Sequence, residues 1–266
     1  MLLTDRFVLL NYPRTASTFA RNALRTLYLR RGAAWKAALL RLGLTPTGIR
    51  ELTLPIERSS AARREGRRSQ HGAFSQIPRE ERRKIVVSIT RHPLDHVVSV
   101  YEFGFWREHP PADPAVIRRR FPAFPDISFS EYLRMEVEFD TPNVLQGVPL
   151  RADVGPRTLH FVRFYAADPD EALARLTDEN IENGEFLRSL PEVRFLHTEN
   201  LADELSGFLQ EVGFSAAETE RLHRLPRLNV AGSRRNRPWT DYFTAEKVAD
   251  FRRRERLLFR KFPEYE

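Results

Sequence analysis

The stretch FVLLNYPRTASTFARN, residues 7–22, decides the fold of this chain. It opens with a short apolar run that is typical of a buried strand, and Pro13 ends that run. A helix is predicted next, over STFARNALRTLYLRR, because apolar residues recur there at helical spacing. A strand, a short loop and a helix in this order point free backbone N–H groups and the positive helix end at one place, where an anion can bind.

The loop between this strand and helix also carries side chains that suit an anion. Thr15, Ser17 and Thr18 bring hydroxyl donors, and Arg14 brings a positive charge. The G-x-x-x-x-G-K-[ST] pattern of nucleotide kinases and GTPases occurs nowhere in the chain. The alternative is an ordinary helix start capped by Ser17 or Thr18.

A second stretch, TRHPLDHVVSVY at residues 90–101, follows the next predicted strand, RKIVVSIT. Arg91 stands at the end of that strand, and Ser99 lies eight positions later, about two turns into the predicted helix. Arginine can hold a phosphate through two parallel hydrogen bonds, and a serine hydroxyl can donate to the same group. Taken alone, Arg91 could equally be a solvated charge.

The rest of the chain alternates between predicted strands and helices. TLHFVRFYA (158–166) and EVRFLH (192–197) are the further strand candidates, whereas the proline-rich segment 107–126 is expected to be irregular. Helices are predicted over PDEALARL, GEFLRSL, TENLADELSGFLQEVGF, SAAETERLHRL and TAEKVADFRRRERLLFRKF. Such alternation predicts an α/β fold of three layers, with a central, mainly parallel sheet and one domain over residues 1–266.

Composition narrows the class of protein. The net charge of +7 favours polyanionic partners, although a generally arginine-rich surface would give the same total. The chain has no cysteine, which excludes disulfides and thiolate sites. No apolar run approaches membrane-spanning length, and the first residues make a poor signal peptide, so a cytoplasmic protein is expected.

Together the two stretches resemble the PAPS-dependent sulfotransferases, and the bacterial type is the branch we expect. PRTASTF (13–19) matches that family's 5′-phosphosulfate loop except at the usual glycine, and VVSITRHPLDHVVSVY (86–101) matches its 3′-phosphate motif in composition and spacing. FLHTENLADELSGFLQEVGF (195–214) and RRNRPWTDYFT (234–244) look like its strand-loop-helix and its basic cofactor-closing loop. The resemblance spans residues 7–260 and implies a P-loop NTPase-like sulfotransferase fold.

The resemblance implies a set of residues that bind PAPS. The phosphosulfate would lie at the loop, the 3′-phosphate at the second motif, and an arginine of the basic loop would reach the 3′-phosphate, without a choice among the three. These residues are Arg14, Thr15, Ala16, Ser17, Thr18, Phe19, Arg91, Ser99, Arg234, Arg235 and Arg237. Phe19 would form an aromatic wall for the adenine, or else pack in the core.

Two residues depart from the family pattern. Ala16 replaces the glycine, and its Cβ restricts both a positive φ and a close approach of the phosphosulfate. Arg14 replaces the lysine of the animal enzymes, and because an arginine keeps its proton its role must be electrostatic. A protein that binds PAPS without turning it over is therefore an alternative.

The family also needs a base that takes the proton of the acceptor hydroxyl. His71 lies 20 residues before Arg91, a separation similar to that of the family's catalytic histidine, and a histidine pKa near neutrality suits this role. A surface histidine beside an arginine run is the alternative. If His71 does not serve, Glu51 or Glu57 is the next candidate.

By analogy with phosphoryl transfer, the implied reaction is an in-line displacement through a loose transition state. Arg14, Thr18 and the loop N–H groups would stabilise the charge that develops on the leaving bridging oxygen, and His71 would deprotonate the acceptor. The product nucleotide would be 3′,5′-bisphosphoadenosine, and no metal is expected.

The acceptor is expected to be a hydroxyl compound bound by two variable segments, about 33–70 and 104–160. Aromatic residues of the second segment suggest an aromatic, lipidic or polyketide-like acceptor, unless they only pack that segment onto the body. They are Phe105, Trp106, Phe121, Phe124, Phe129, Tyr132 and Phe139. The arginines at 63, 64, 67, 68 and 118–120 would instead suit an acidic glycan or a tyrosine-containing peptide.

Two other classes remain possible from the sequence. A non-standard P-loop kinase would use the same loop with ATP and magnesium, but neither a Walker lysine nor a metal-holding aspartate at a strand end is evident. A nucleic-acid-binding protein would use the net charge and interleaved aromatics, but it has no need of an Arg91–Ser99 spacing. We therefore expect no nucleic-acid partner.

Overall fold

A central five-stranded sheet organises the chain, whose computed structural model describes residues 1–30, 48–56, 66–224 and 237–266. The sheet order is β3-β1-β2-β6-β7, and β4 and β5 form a separate two-stranded hairpin. The strands are β1 Leu2–Thr4, β2 Phe7–Leu10, β3 Ile49–Glu51, β4 Leu54–Pro55, β5 Arg68–Ser69, β6 Ile85–Thr90 and β7 Arg194–His197.

The middle of the sheet is parallel and one edge is antiparallel. β2 pairs with β6 and β6 with β7 in parallel, whereas β1 runs antiparallel to both β2 and β3. The parallel register aligns Leu10 with Ser88 and Thr90 with His197. Parallel strands direct their carboxyl ends to the same edge of the sheet, so the segments that follow β2, β6 and β7 meet there.

Helices connect these strands and cover the sheet. In chain order they are α1 Ser17–Arg30, α2 Pro93–Phe103, α3 Phe105–Glu108, α4 Pro114–Arg120, α5 Phe129–Met135, α6 Thr141–Leu145, α7 Pro156–Tyr165, α8 Pro169–Arg175, α9 Asp178–Glu182, α10 Glu185–Ser189, α11 Leu201–Glu211, α12 Ala216–Thr219, α13 Ala245–Arg254 and α14 Arg256–Lys261. A π-helix, Glu136–Asp140, joins α5 to α6.

Both faces of the sheet are buried, which gives three layers. Along β2, Phe7 and Leu9 face one apolar cluster with α1 and α11, while Val8 and Leu10 face the other with α2, α7 and α14. Successive side chains of a strand alternate between faces, so a strand buried on both must be apolar throughout. The α/β prediction is confirmed, as are the first helix and its apolar positions Phe19, Ala20, Ala23, Leu24, Leu27 and Tyr28.

The strand predicted over TLHFVRFYA is wrong, because residues 156–165 form helix α7. Pro156 begins the helix and the run is buried on nearly every side, including the arginine at 163. A short apolar run that is buried all round has no polar face, so its periodicity does not separate helix from strand.

A remote carboxylate holds the start of α7. Glu255, which is 2% exposed, accepts hydrogen bonds from the backbone N–H of Arg157 at 3.1 Å and from the N–H and hydroxyl of Thr158 at 2.6 and 2.7 Å. These donors belong to the first turn of the helix, where backbone N–H groups have no partner within the helix. The negative charge also faces the positive helix end.

The segment 107–126, expected to be irregular, contains the regular helix α4, capped by the side chain of Asp113. The last predicted helix divides at Glu255 into α13 and α14, and the side chain of Thr244 caps its start by accepting from Lys247 N. Most of the aromatic rings of segment 104–160 are core residues, which favours the packing alternative. Trp106, Phe121, Phe124, Phe129 and Tyr132 are buried, Phe139 is half-buried and Phe105 is exposed.

Some predictions fall on residues outside the described part, namely the helix over AAWKAALLRLG and most of the loop RSSAARREGRRSQ. Within residues 1–30, 48–56, 66–224 and 237–266, no helix has the length and apolar character that crossing a membrane requires.

Candidate anion-binding and catalytic site

The two predicted motifs lie side by side at the carboxyl edge of the sheet. The loop 11–16 leaves β2 and enters α1, and Arg91 leaves β6 and enters α2. Since β2 and β6 are neighbours with Leu10 aligned to Ser88, the two loops occupy adjacent places on the same edge. The strand pairing therefore brings together stretches that are 77 residues apart in the chain.

The backbone of the first loop adopts two left-handed conformations. Arg14 has φ +64° and Ala16 has φ +60°, a region that residues with a Cβ rarely occupy. The hydroxyls of Thr15 and Ser17 both donate to the Tyr12 carbonyl, at 2.9 and 3.3 Å, and both residues are buried. These two hydroxyls therefore fix the turn from inside.

The carbonyl of Ala16 accepts from Phe19 N at 2.9 Å, which starts helix α1. Thr18 lies half-buried in the first turn. Phe19 is 9% exposed and belongs to the apolar cluster under the sheet, which favours its core alternative over a wall for adenine.

Arg14, Arg91 and Ser99, which the sequence assigns to two separate motifs, lie close together. The guanidinium of Arg14 donates to Ser99 Oγ at 3.3 and 3.4 Å, and Arg91 donates to the backbone carbonyl of Arg14 at 3.3 Å. The Arg14 guanidinium also lies 4.0 Å from the ring centroid of Phe103, one turn beyond Ser99 on α2. Two cations and one hydroxyl thus lie close to one another.

The electrostatics of this cluster favour an anion. Burial and, to a smaller extent, the neighbouring charge of Arg91 together lower the pKa of Arg14 to about 10. Among the described residues, no carboxylate lies within ion-pair distance of Arg14, whereas Arg91 pairs with Asp95 through contacts of 2.5 and 2.6 Å. Two positive charges held close together repel each other, and a bound anion would remove that repulsion.

Acidic and aromatic groups surround Arg91 on its other side. Burial lowers the pKa of Arg91, and the negative charge of Glu199 opposes that shift. Glu199 accepts from His92 N at 3.1 Å and from the Tyr265 hydroxyl at 2.9 Å. Glu199 thus connects His92, the residue after Arg91, to the segment after β7 and to Tyr265.

Of the predicted basic loop, Arg234 and Arg235 lie outside the described residues, and Arg237 is exposed. Trp239, two positions later, stacks on His92 with ring centroids 5.6 Å apart and planes 11° apart. The end of this loop therefore lies against the residue that follows Arg91.

His71 reaches the site from a separate segment. It is half-buried, and its Nδ1 lies 2.6 Å from the backbone carbonyl of Asn11, the first residue after β2. A carbonyl oxygen only accepts, so Nδ1 carries the hydrogen and Nε2 is the basic nitrogen of the neutral ring. The backbone N–H of His71 donates to Ser69 Oγ at 3.1 Å.

The other two base candidates are differently placed. Glu51, in the edge strand β3, forms ion pairs with Arg21 and Arg25. Glu57 lies outside the described residues.

Three residues at the site carried no signal in the sequence. The buried imidazole of His96 donates from Nε2 to the Pro13 carbonyl at 2.9 Å, and burial lowers the pKa of His96 to about 3. Tyr12 stacks on it with centroids 5.4 Å apart. Thr198, after β7, has its Oγ1 2.7 Å from the Thr90 carbonyl and 3.2 Å from the Thr15 carbonyl. All three support the loop through long-range contacts, which no local pattern reports.

A small cavity of about 30 Å³ lies behind the loop. Tyr12, Thr15, Arg91, His96 and Arg157 line its polar side. Arg157 also forms an ion pair with Glu136. Burial raises the pKa of Glu136 to about 7, although the guanidinium of Arg157 opposes the rise. A buried ion pair of this kind tolerates the loss of neither partner.

Comparison with known proteins was made at the level of sequence and of structure. No protein-family model and no curated protein matches the chain. A crystal structure of mouse sulfotransferase SULT7A1 complexed with PAP is 16% identical, with a TM-score of 0.44, over 94% of this chain and 82% of that chain. The functional conclusion rests on the chain's own residues.

Proposed function

We propose that this protein is a sulfotransferase that moves a sulfuryl group from PAPS to a hydroxyl acceptor. The observation that carries the proposal is the convergence of Arg14, Arg91 and Ser99 at the ends of two neighbouring parallel strands. An ordinary capped helix would explain neither the second arginine nor the serine from α2.

The described residues fit a ligand with anionic groups at two ends. Arg14 and the start of α1 would hold the sulfate-bearing end, and Arg91 with Ser99 would hold the 3′-phosphate. Burial and the nearby Arg91 lower the pKa of Arg14, and because no carboxylate of the described residues lies within ion-pair distance of it, Arg14 gives the site a positive charge that an anion can match. Arg234, Arg235 and Arg237 remain the candidates that close over the 3′-phosphate.

When bound, PAPS supplies an activated sulfuryl group. Nε2 of His71 would accept the proton of the acceptor hydroxyl, because Nδ1 already donates to the Asn11 carbonyl. Arg14 would offset the negative charge that develops at the leaving oxygen, and with a pKa of about 10 it stays protonated at neutral pH. Thr18 in the first turn of α1 is proposed for the same role.

Ala16 was the reason to consider a binding protein without activity. The alanine adopts φ +60°, the conformation for which the family uses glycine. The backbone of the loop therefore keeps its turn, and the observation favours an active enzyme over an inactive one.

Thermal unfolding tests the cofactor directly. We expect 3′,5′-bisphosphoadenosine to raise the Tm more than ADP without magnesium or ATP with magnesium, because a ligand that binds only the native state stabilises it in proportion to occupancy. An equal response to ADP would mean that Arg91 and Ser99 do not recognise a 3′-phosphate. A preference for ATP with magnesium would support a kinase instead.

A pair of variants connects this result to the site. Arg91→Ala should weaken bisphosphate binding about tenfold or more, since it removes charge-assisted hydrogen bonds. Arg119→Ala removes the same charge from an exposed position on α4 and should leave the affinity nearly unchanged. Isothermal titration calorimetry measures both, and equal losses in the two variants would assign binding to overall charge.

A further inference from the structure

Asn11 is the residue that joins β2 to the loop 11–16, and it contacts the segment that carries His71. It follows β2 directly and is completely buried. Its side-chain Nδ2 donates to the Gln70 carbonyl at 3.2 Å, and its backbone carbonyl accepts from His71 Nδ1 at 2.6 Å. Two hydrogen bonds therefore connect this residue to two consecutive residues of the other segment.

We infer that Asn11 is a positioning residue that holds His71 in the Nδ1-protonated tautomer, which makes Nε2 the basic nitrogen of the ring. The inference rests on the proposed function, in which His71 is the base. The side chain of Asn11 keeps the backbone at Gln70 close to the strand, and this spacing keeps the imidazole within reach of the Asn11 carbonyl.

The buried amide of Asn11 supports a positioning role. Its Oδ1 has no hydrogen-bond partner, and a buried polar atom without a partner destabilises the folded state. An apolar residue of similar size would avoid this cost at the end of a buried strand. The hydrogen bond from Nδ2 to the Gln70 carbonyl thus accounts for an amide at this position.

The rest of the segment is already rigid on both sides of His71. Ser69 belongs to β5 and accepts from His71 N, and Ala73 N donates to the side chain of Gln76 at 3.0 Å. The amine of Met1 also donates to the Gln70 carbonyl. These contacts hold the segment along its own length and to Met1, whereas the bond from Asn11 Nδ2 holds the Gln70 carbonyl beside Asn11 itself, so its loss is expected to change the distance from the imidazole to the Asn11 carbonyl.

The tautomer of His71 can be measured by NMR of protein carrying ¹⁵N-labelled histidine, with His71→Gln used to assign its signals. We expect the wild-type ring to be protonated at Nδ1 when neutral. Asn11→Ala keeps the backbone carbonyl but removes the bond to Gln70, and it should move the ratio of tautomers toward the Nε2-protonated form by up to about fivefold, the factor for complete loss of the bond from Nδ1.

Asn143→Ala is the matched control, because Asn143 is half-buried and its amide also donates to backbone carbonyls, those of Pro111 and Phe139. It should leave the His71 tautomer unchanged. An unchanged tautomer in Asn11→Ala, or an equal change in Asn143→Ala, would overturn the inference. A wild-type ring protonated at Nε2 would overturn it even if Asn11→Ala does not fold.

The measurement separates this inference from the proposed function. If 3′,5′-bisphosphoadenosine does not bind, the sulfotransferase proposal fails while the tautomer still reports whether Asn11 positions His71. If the bisphosphate binds and the tautomer does not depend on Asn11, the function stands and the inference fails.

Discussion

Two residues of the loop 11–16 have backbone conformations that their side chains disfavour. Arg14 and Ala16 both have φ near +60°, where a Cβ approaches the following carbonyl oxygen. Such conformations persist only when surrounding contacts enforce them, and here the hydroxyls of Thr15 and Ser17 close the turn on the Tyr12 carbonyl. Strain at this place is consistent with a loop shaped for a ligand.

The Ala16→Gly substitution is expected to stabilise the protein. Glycine adopts φ +60° without a steric cost, so the free energy of unfolding should rise by roughly 1 kcal/mol even though the unfolded chain gains entropy. Urea denaturation measures the change. Ala172→Gly, in the regular helix α8, should have the opposite sign and cost about 1 kcal/mol. A loss of stability in both variants would contradict the strain argument.

At the residue scale, the sequence predicted the members of the cluster but not all their contacts. Arg14, Arg91 and Ser99 were found from motifs, and the structure brings them together. The sequence did not predict that Tyr12 and His96 support the loop, because these contacts depend on packing between α2 and the end of β2.

Helix α7 shows how an element can be stabilised from far along the chain. Its first turn is capped by Glu255, about 97 residues later, and Gly155 leaves room for that carboxylate because a Cβ there would collide with it. Burial raises the pKa of Glu255, while the hydrogen bonds from Thr158 oppose the rise. The start of α7 therefore depends on the break between α13 and α14.

The Glu255→Ala substitution is expected to lower the free energy of unfolding by at least about 3 kcal/mol. It leaves two backbone N–H groups and the Thr158 hydroxyl buried without an acceptor, and each lost partner costs about 1–3 kcal/mol. Chemical denaturation measures the loss. Glu220→Ala, at an exposed position, should change stability by less than about 0.5 kcal/mol. Equal effects would mean that the cap contributes nothing specific.

At the scale of the whole molecule, a histidine ties the last residues of the chain to the sheet. His197, at the end of β7, has Nδ1 3.0 Å from Glu204 of α11 and Nε2 2.6 Å from Glu264. Tyr265 packs on both His197 and His92, and its hydroxyl donates to Glu199 beside Arg91. The end of the chain thereby borders the proposed 3′-phosphate position.

This connection predicts a pH dependence of stability. Burial lowers the pKa of His197, but the hydrogen bonds to Glu264 and Glu204 raise it by more, so its folded-state pKa lies above 6.5. The stabilisation is therefore complete below about pH 6.5 and is lost as the pH rises through the folded-state pKa. The difference in unfolding free energy between wild type and His197→Gln should shrink over that range.

Denaturation at a series of pH values from 6 upward measures this difference. His223→Gln serves as the control, since it makes the same substitution at a histidine whose side chain is 43% exposed. A wild-type advantage over His197→Gln that stays constant with pH would show that the charged imidazole does not hold the end of the chain.

The sequence by itself determined the α/β class and the strand-loop-helix unit at residues 7–30, and it predicted the residues of two candidate anion-binding motifs. These features are local, because strand and helix periodicity and loop composition are set by neighbours along the chain. Only the tertiary structure decided that residues 156–165 are helical and that His71 donates to the Asn11 carbonyl. Both depend on partners about 60 to 100 residues away, so no local pattern contains them.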